Sequence, residues 1–395
     1  MSSINEIRTK AIIIGSADVI KLCLIRSLGV VGCEIDVVHI GKNSMFIHPV
    51  DYYSKYVSHY FYTSITNLVQ FIIENCSSQQ TKPVIFTLDD YSTFLIDEAR
   101  DQLKNSFLFA HLCPDGSLAD LMNKHLLKTK AAEAGMNVVK GWPIPFENGD
   151  FHIPEDLIYP CFVKGLQSMY VNKGIQCKCD SFEELQQLLE SCKKKYPYSV
   201  YAEEFISIEK DYGVIGVSDG NRYLIPAQAE LLEMGKGSSH GVSMLGKVCP
   251  LENSELCKKL EALLDKLHYV GIFNVDFVES CGKIYFVELN FRYAAYGSVV
   301  DMLGCNLPAI FINCLLGIET KLPHHKISKE CTYFNEKIGL KNVIQKNLTW
   351  SNYFSLKRKA DTHLVALNSD SHPYRVFILS YLLKYIKYRL LRFKS

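Results

Sequence analysis

Ile284 to Arg292 (IYFVELNFR) carries the densest chemistry in the chain, because strand alternation puts Glu288, Asn290 and Arg292 on one face at a period of two. A carboxylate, an amide and a guanidinium then line up. Just upstream, Ile272 to Val278 (IFNVDFV) puts Asn274 and Asp276 on one face, and Ser280 to Lys283 connects the two strands as an antiparallel hairpin. With an odd-numbered loop such as Cys281 to Lys283, Asp276 falls directly opposite Glu288. Acids so placed repel unless a positive charge lies between them. A divalent hard cation supplies that charge, and Mg2+ prefers such a sparse set of carboxylate and amide oxygens, completed by water and nucleotide phosphates. The plainer alternative is a solvated outer strand face.

Other signals are weaker singly. Lys164 ends an apolar strand, YPCFVK, beside a loop, where an ammonium suits a phosphate as a point charge. Tyr201 to Ile206 (YAEEFI) offers strand backbone to a flat base, with Phe205 and Ile206 as apolar contacts. Gly241 to Lys247 has phosphate-loop spacing, but Val248 replaces the hydroxyl residue that would hold Mg2+, so it reads as a decoy. Cys177 and Cys179 lack a second ligand pair at zinc spacing, and no nucleophile elbow, zincin helix or kinase set is present.

The elements that must position these groups follow from periodicity. Ala11 to Ile14, a helical pattern reaching Gly29, Glu34 to Ile40, a helix over Leu68 to Glu74 and Pro83 to Leu88 read as a small parallel α/β layer whose last strand ends at Asp89-Asp90. Its first turn has only Gly15 and lacks the glycines of a dinucleotide site, which disfavours an oxidoreductase. A boundary falls near residue 113. One helix is expected from about Leu118 to Ala134, closed by Gly135, and an α+β region follows: strands 159–164, 199–206, 212–217, 223–229, 272–278 and 284–291, with helices 181–194 and 254–268.

The 395 residues are too many for one core of usual size, and 48% hydrophobic with 22% charged residues excludes disordered, collagenous and mainly coiled-coil chains. No run reaches the roughly 18 apolar residues of a membrane span, and the scattered cysteines read as reduced core thiols, which together suggest a cytoplasmic protein. The net charge of +1 hides an asymmetry, since residues 321–395 hold 15 Lys+Arg against 4 Asp+Glu. The end is basic and the body acidic. A helix over Tyr374 to Arg392 invites either peripheral contact with anionic lipid at the inner membrane face or docking on the body or a partner, a homodimer included.

The order of elements resembles the ATP-grasp superfamily: a helix with a lysine, then VK, EEFI, NVDF and VELNFR strands. The likeness covers about residues 113–318 and is nearest to carboxylate–amine ligases, including the D-aspartate ligase type and the ATP-binding parts of carbamoyl-phosphate synthase. It implies an α/β N-terminal domain followed by an α+β ATP-grasp fold of two lobes sandwiching ATP. The divisions are 1–112 for a small Rossmann-like domain, 113–320 for the ATP-grasp domain with lobes of about 113–200 and 201–320, and 321–395 for a basic extension. By the resemblance, Lys124 in MNKHLLKTKAAEAG and Lys164 match the phosphate-contacting lysines. Glu203, Glu204 and Ile206 match the adenine hinge, and Asp211 the acid that faces the ribose. Asp276, Glu288 and Asn290 match the ligands of Mg2+, which Mn2+ can replace; Arg292 matches the arginine that steadies the acyl substrate or γ-phosphate. The loop Leu166 to Ile175 is poor in glycine, and Lys173 is placed there as a compensating phosphate contact. Selectivity is expected in Glu230 to Leu245, His240 included, and around Tyr293 to Gly297.

The implied activity is an ATP-dependent ligation of a small-molecule carboxylate to an amine through an acyl phosphate, on an amino acid and a cell-envelope or polysaccharide acceptor, with no nucleic acid involved. The rival is a silent Mg·ATP-binding regulatory or scaffold protein.

Overall fold

The computed structural model describes residues 9–392 except 17, 44–47, 79, 113–115, 148–149, 171–174, 196–197, 235–242, 319–321 and 323–325. The chain opens with β1 (Lys10–Gly15), α1 (Asp18–Gly29), β2 (Glu34–Ile40), β3 (His59–Thr63), α2 (Leu68–Asn75), β4 (Val84–Thr87), α3 (Asp90–Glu98), α4 (Arg100–Leu103) and β5 (Leu108–Phe109). The strands form one parallel sheet in the order β3-β2-β1-β4-β5. β1 is apolar throughout because both its faces are covered: Ala11 and Ile13 pack in one cluster with Leu22 and Ile25 of α1, Ile12 and Ile14 in another with Leu68 and Ile72 of α2. The strand order reverses beside β1, so the crevice lies past the ends of β1 and β4, where Asp89 and Asp90 begin α3.

The next elements are β6 (His111–Leu112), α5 (Leu118–Leu121), α6 (Lys124–Glu133) and β7 (Asn137–Val138). The single helix expected over 118–134 is two. Asn123 breaks it, because its side chain accepts from the N–H groups of His125 and Leu126 at 3.0 and 3.1 Å and so starts a new helix at Lys124. The amide of Lys124 donates to the Leu166 carbonyl at 3.0 Å, tying that helix start to the loop after a strand of the small lobe.

That lobe comprises β8 (Gly141–Ile144), β9 (Phe146–Glu147), β10 (Asp150–Phe151), β11 (Cys161–Gly165), β12 (Gln176–Cys179), α7 (Phe182–Lys195) and β13 (Val200–Glu204). Its sheet is antiparallel, ordered β12-β11-β13-β8. Period two sorts its faces: Cys161, Val163, Val200 and Ala202 pack with Leu185 and Leu189 of α7, while Phe162, Lys164 and Glu203 line the cleft.

The large sheet takes β14 (Lys210–Asp219), β15 (Tyr223–Glu233), β16 (Leu245–Pro250), β17 (Tyr269–Ser280) and β18 (Lys283–Asn290), with α8 (Ser254–Leu267) between β16 and β17. Phe273, Val275 and Phe277 of β17 share a core with Leu260, Leu263 and Leu264 of α8, so Asn274 and Asp276 are turned to the other face. β6 pairs with β17 and β7 with β18. The segment 118–138 therefore lies against the large sheet rather than in the small lobe, and the crossing between lobes follows β13.

The hairpin reaches the anticipated register by another route. Ser280 pairs with Lys283, leaving a two-residue turn of Cys281 and Gly282 with φ of 49° and 70°, and this even loop alone would set Val287 opposite Asp276. A register shift between Asp276 and Phe277 makes Val287 the extra residue and brings Glu288 opposite Asp276. Phe286 and Leu289, three apart, consequently pack into the same core.

After α9 (Gly297–Met302) and α10 (Leu307–Leu315) come β19 (Cys331–Phe334), α11 (Glu336–Ile344), α12 (Trp350–Lys359), β20 (Thr362–His363) and α13 (His372–Arg392). The basic end is built into the body: β19 pairs with β16, and β20 with β19. Buried Arg26 of α1 pairs with Asp370 at 3.0 Å and donates to the Leu364 and Val365 carbonyls at 2.9 and 3.0 Å, closing this segment onto the N-terminal layer. Among the described residues, no helix is long and apolar enough to cross a membrane.

Candidate active site

One cleft lies between the cleft-facing side of the small lobe and the β17–β18 hairpin, and it brings together Lys124, Lys164, Glu203, Glu204, Ile206, Asp211, Asp276 and Glu288. Its apolar walls include Val139, Phe205, Ile208 and Val278. Lys173 lies outside the described residues, as do Gly174 and His240.

The upper side holds cations. Lys164 at the end of β11 pairs with Glu203 of β13 at 2.8 Å, and Lys128 of α6 grips the other carboxylate oxygen of Glu203. Burial would push the Glu203 carboxyl up, but Lys164 and Lys128 outweigh it and hold the group at about 2. Burial and the neighbouring Lys164 charge bring the Lys128 ammonium down to about 8. Two buried ammoniums thus share one carboxylate, leaving a positive excess.

Lys128 is the residue that sequence reading missed. The signal was available, since helical spacing puts 124 and 128 on one face, but LLKTKAAE reads as a solvated helix surface. Glu203, matched to the adenine hinge, instead anchors both lysines here. The side chain of Glu204 is exposed, and the amides of Glu204 and Phe205 donate at 2.9 Å to the Lys140 and Pro160 carbonyls.

The lower side holds acids. Asp276 accepts from the amides of Asn274 and Asn290, each at 3.1 Å, and stands opposite Glu288 in the ladder. Burial, then Glu288, raises the Asp276 carboxyl to about 7, and Asp211 adds to the rise. Asp211 is buried on β14 opposite Val278, which puts it on the same sheet face as Asp276. Lys124 bridges the two sides by pairing with Glu288 at 3.1 Å.

Arg292 donates to the Asn290 amide oxygen at 3.1 Å and pairs through Nε with Asp90 at 3.0 Å. The N-terminal layer therefore enters the site through Asp90. Asn290 shows its nitrogen to Asp276 and its oxygen to Arg292, so donating that oxygen to a cation requires the amide to turn over. The donor set of Asp276, Glu288 and the Asn290 oxygen otherwise suits a hard divalent cation, and the high carboxyl of Asp276 marks charge that such an ion would neutralise.

One expectation changes. Tyr293 and Tyr296 are buried: Tyr293 is hydrogen-bonded to Ser27 at 3.2 Å and donates to Asp301, tying α1 to α9, while Tyr296 donates to Asn274 and braces β17. In the decoy segment, Lys247 lies within strand β16 and pairs at 3.7 Å with Glu230 and 3.6 Å with Glu330.

Residues 131–308 match the family model described as the ATP-grasp domain. The sequence matches no curated protein. Among solved structures, the ADP complex of N5-carboxyaminoimidazole synthetase from Staphylococcus aureus is 16% identical with a TM-score of 0.61, over 89% of this chain and 87% of that one. The L-amino acid ligase from Bacillus licheniformis is 13% identical with a TM-score of 0.57, over 82% and 80%. The biotin carboxylase domain of the Hydrogenobacter thermophilus 2-oxoglutarate carboxylase, a dimer with MgADP, ADP and bicarbonate, is 14% identical with a TM-score of 0.62, over 81% and 73%. Identities this low speak for the fold, and the fold is the ATP-grasp fold.

Proposed function

We propose that this ATP-grasp chain is an ATP-dependent ligase that joins a carboxylate to an amine through an acyl phosphate. The observation that carries the reading is the charge division of the cleft, with Lys124, Lys128 and Lys164 over-supplied on one side and Asp211, Asp276 and Glu288 on the other. A nucleotide triphosphate with its divalent cation fits both excesses at once. Mg2+ held by Asp276, Glu288 and Asn290, or Mn2+ in its place, would supply Lewis-acid polarisation of the phosphates.

The residues divide the work as follows. Lys164 and Lys128 exchange Glu203 for phosphate oxygens, and Lys124 leaves Glu288 for the same purpose. The small lobe's apolar wall at Phe205, Ile206 and Ile208 takes the base, and Asp211 is the acid within reach of the sugar. Arg292, steadied by Asp90, orients the incoming carboxylate. A carboxylate oxygen then attacks the γ-phosphorus, the β–γ P–O bond breaks, and ADP leaves with that electron pair. The amine nitrogen next attacks the acyl carbon, phosphate departs, and the nitrogen loses a proton to solvent. No protein nucleophile is needed.

Biotin carboxylase and amino-acid ligase neighbours support the reaction class. An amino acid and a cell-envelope or polysaccharide amine are the finer form of the proposal. The test is ADP release over a panel of amino acids and acidic sugars with and without amines. Amine-dependent release that falls about 10²–10³-fold in Glu288→Gln supports the ligase; Mg·ATP binding without turnover across the panel supports the scaffold reading.

A further inference from the structure

The surface of α12 and α13 carries an apolar groove of about 380 Å³ whose floor includes Tyr353, Tyr374 and Ile378. Its rim stands out into solvent: Trp350 is 41% exposed, Phe354 52% and Leu382 47%, and the patch runs on along α13 through Leu379 and Leu383. Large exposed apolar groups collected on two neighbouring helices mark a contact surface.

The sequence that forms and follows the groove is cationic. Residues 336–395 hold 12 Lys+Arg against three acids, Glu336, Asp361 and Asp370. Glu336 and Asp370 are buried, the first accepting from the Val365 and Ala366 amides and the second paired with Arg26. Asp361 is held by Thr332. From 371 to the end there are six Lys+Arg and no acid. Lys357 donates to the Tyr374 hydroxyl at 2.8 Å, and among the described residues none of Lys357, Arg358 and Lys359 pairs with an acid.

We propose that this face docks on an anionic lipid surface, with Trp350, Phe354 and Leu382 entering the acyl region and Lys357, Arg358 and Lys359 meeting headgroup phosphates. A helix of 21 residues that is not apolar enough to span, yet joins exposed leucines to an acid-free basic sequence, has the make-up of an interfacial element. A second copy of the chain is the weaker occupant, because a two-fold contact would set this cationic face against itself. The proposal is independent of the ligase reading.

Flotation of the full chain with phosphatidylcholine vesicles, with and without phosphatidylglycerol, tests it. Binding to the anionic vesicles about tenfold or more above the neutral ones is expected. The chain has two tryptophans, and Trp142 is buried, so a blue shift on binding that disappears in Trp350→Phe reports insertion at this rim. The triple variant Trp350→Asp, Phe354→Asp, Leu382→Asp should lose flotation while keeping its melting temperature and Mg·ATP binding. Absence of anionic-vesicle binding by the full chain overturns the proposal. So does flotation that the triple variant retains without change, and so does a dimer that this variant breaks while the wild-type chain fails to float.

Discussion

The two sides of the cleft gather opposite charge. On the upper side, Lys164 of β11 and Lys128 of α6 share Glu203; on the large sheet, two amides hold Asp276, which stands opposite Glu288, and Asp211 lies on the same face. Each side alone is a poor arrangement, because buried like charges cost more than their partners return. Together they describe the ligand: phosphates for one, a cation for the other. The difference also separates how each side was built. Lys128 and Lys164 come from a helix and a strand that meet only through Glu203, distant from both in sequence, whereas Asp276 and Glu288 meet through the register of one hairpin.

Breaking the cationic side should have the larger effect. Lys164→Ala is expected to raise the KM for ATP about a hundredfold, the loss of one charge-assisted contact, while Mg2+ affinity in the absence of nucleotide stays unchanged. Steady-state kinetics beside calorimetry separates the two, and equal losses in both would dissolve the distinction. The acidic side should show itself in pH. Because burial and Glu288 raise Asp276 to about 7, the ion-free fold holds a proton there that the cation must displace. Mg2+ affinity should therefore tighten by up to about tenfold per unit as pH rises toward 7 and level off above it. Proton release measured by calorimetry in two buffers checks this, and an affinity flat across that range contradicts it. In the same protein Glu203, depressed to about 2, contributes stability above the usual carboxylate range and loses it only as pH falls through that value.

Smaller effects sharpen the picture. Asp90→Asn removes the charge that positions Arg292, so kcat should fall roughly tenfold with the KM for ATP unmoved. Gly282→Ala probes the register. Nothing lies within 4 Å of an added Cβ, but φ is +70°, so a loss of about 1 kcal/mol in thermal unfolding is expected from backbone conformation alone.

Much of the site was legible because strand period two is a strong signal: it alone puts Asn274 with Asp276 and Glu288 with Asn290. The β-bulge at Val287 was not, since nothing in YFVEL marks an extra residue; only the two-residue turn and the shared core of Phe286 and Leu289 demand it. The break at Asn123 was legible in principle, as an asparagine three residues before Leu126 is a helix start, but the apolar pattern around it runs on uninterrupted. β19 and β20 escaped because each is short and is stabilised by distant partners, β16 and then β19 itself.

Lys124 is fastened to both jaws. Its main chain is held by the Leu166 carbonyl of the upper one, and its ammonium by Glu288 of the lower. The Ser168 amide also donates to the Met122 carbonyl at 3.0 Å and Lys128 grips Glu203, so releasing the ammonium to a triphosphate leaves the start of α6 tied to the upper jaw. Arrival of the nucleotide thereby trades one of several ties between the jaws and leaves the main-chain ones in place.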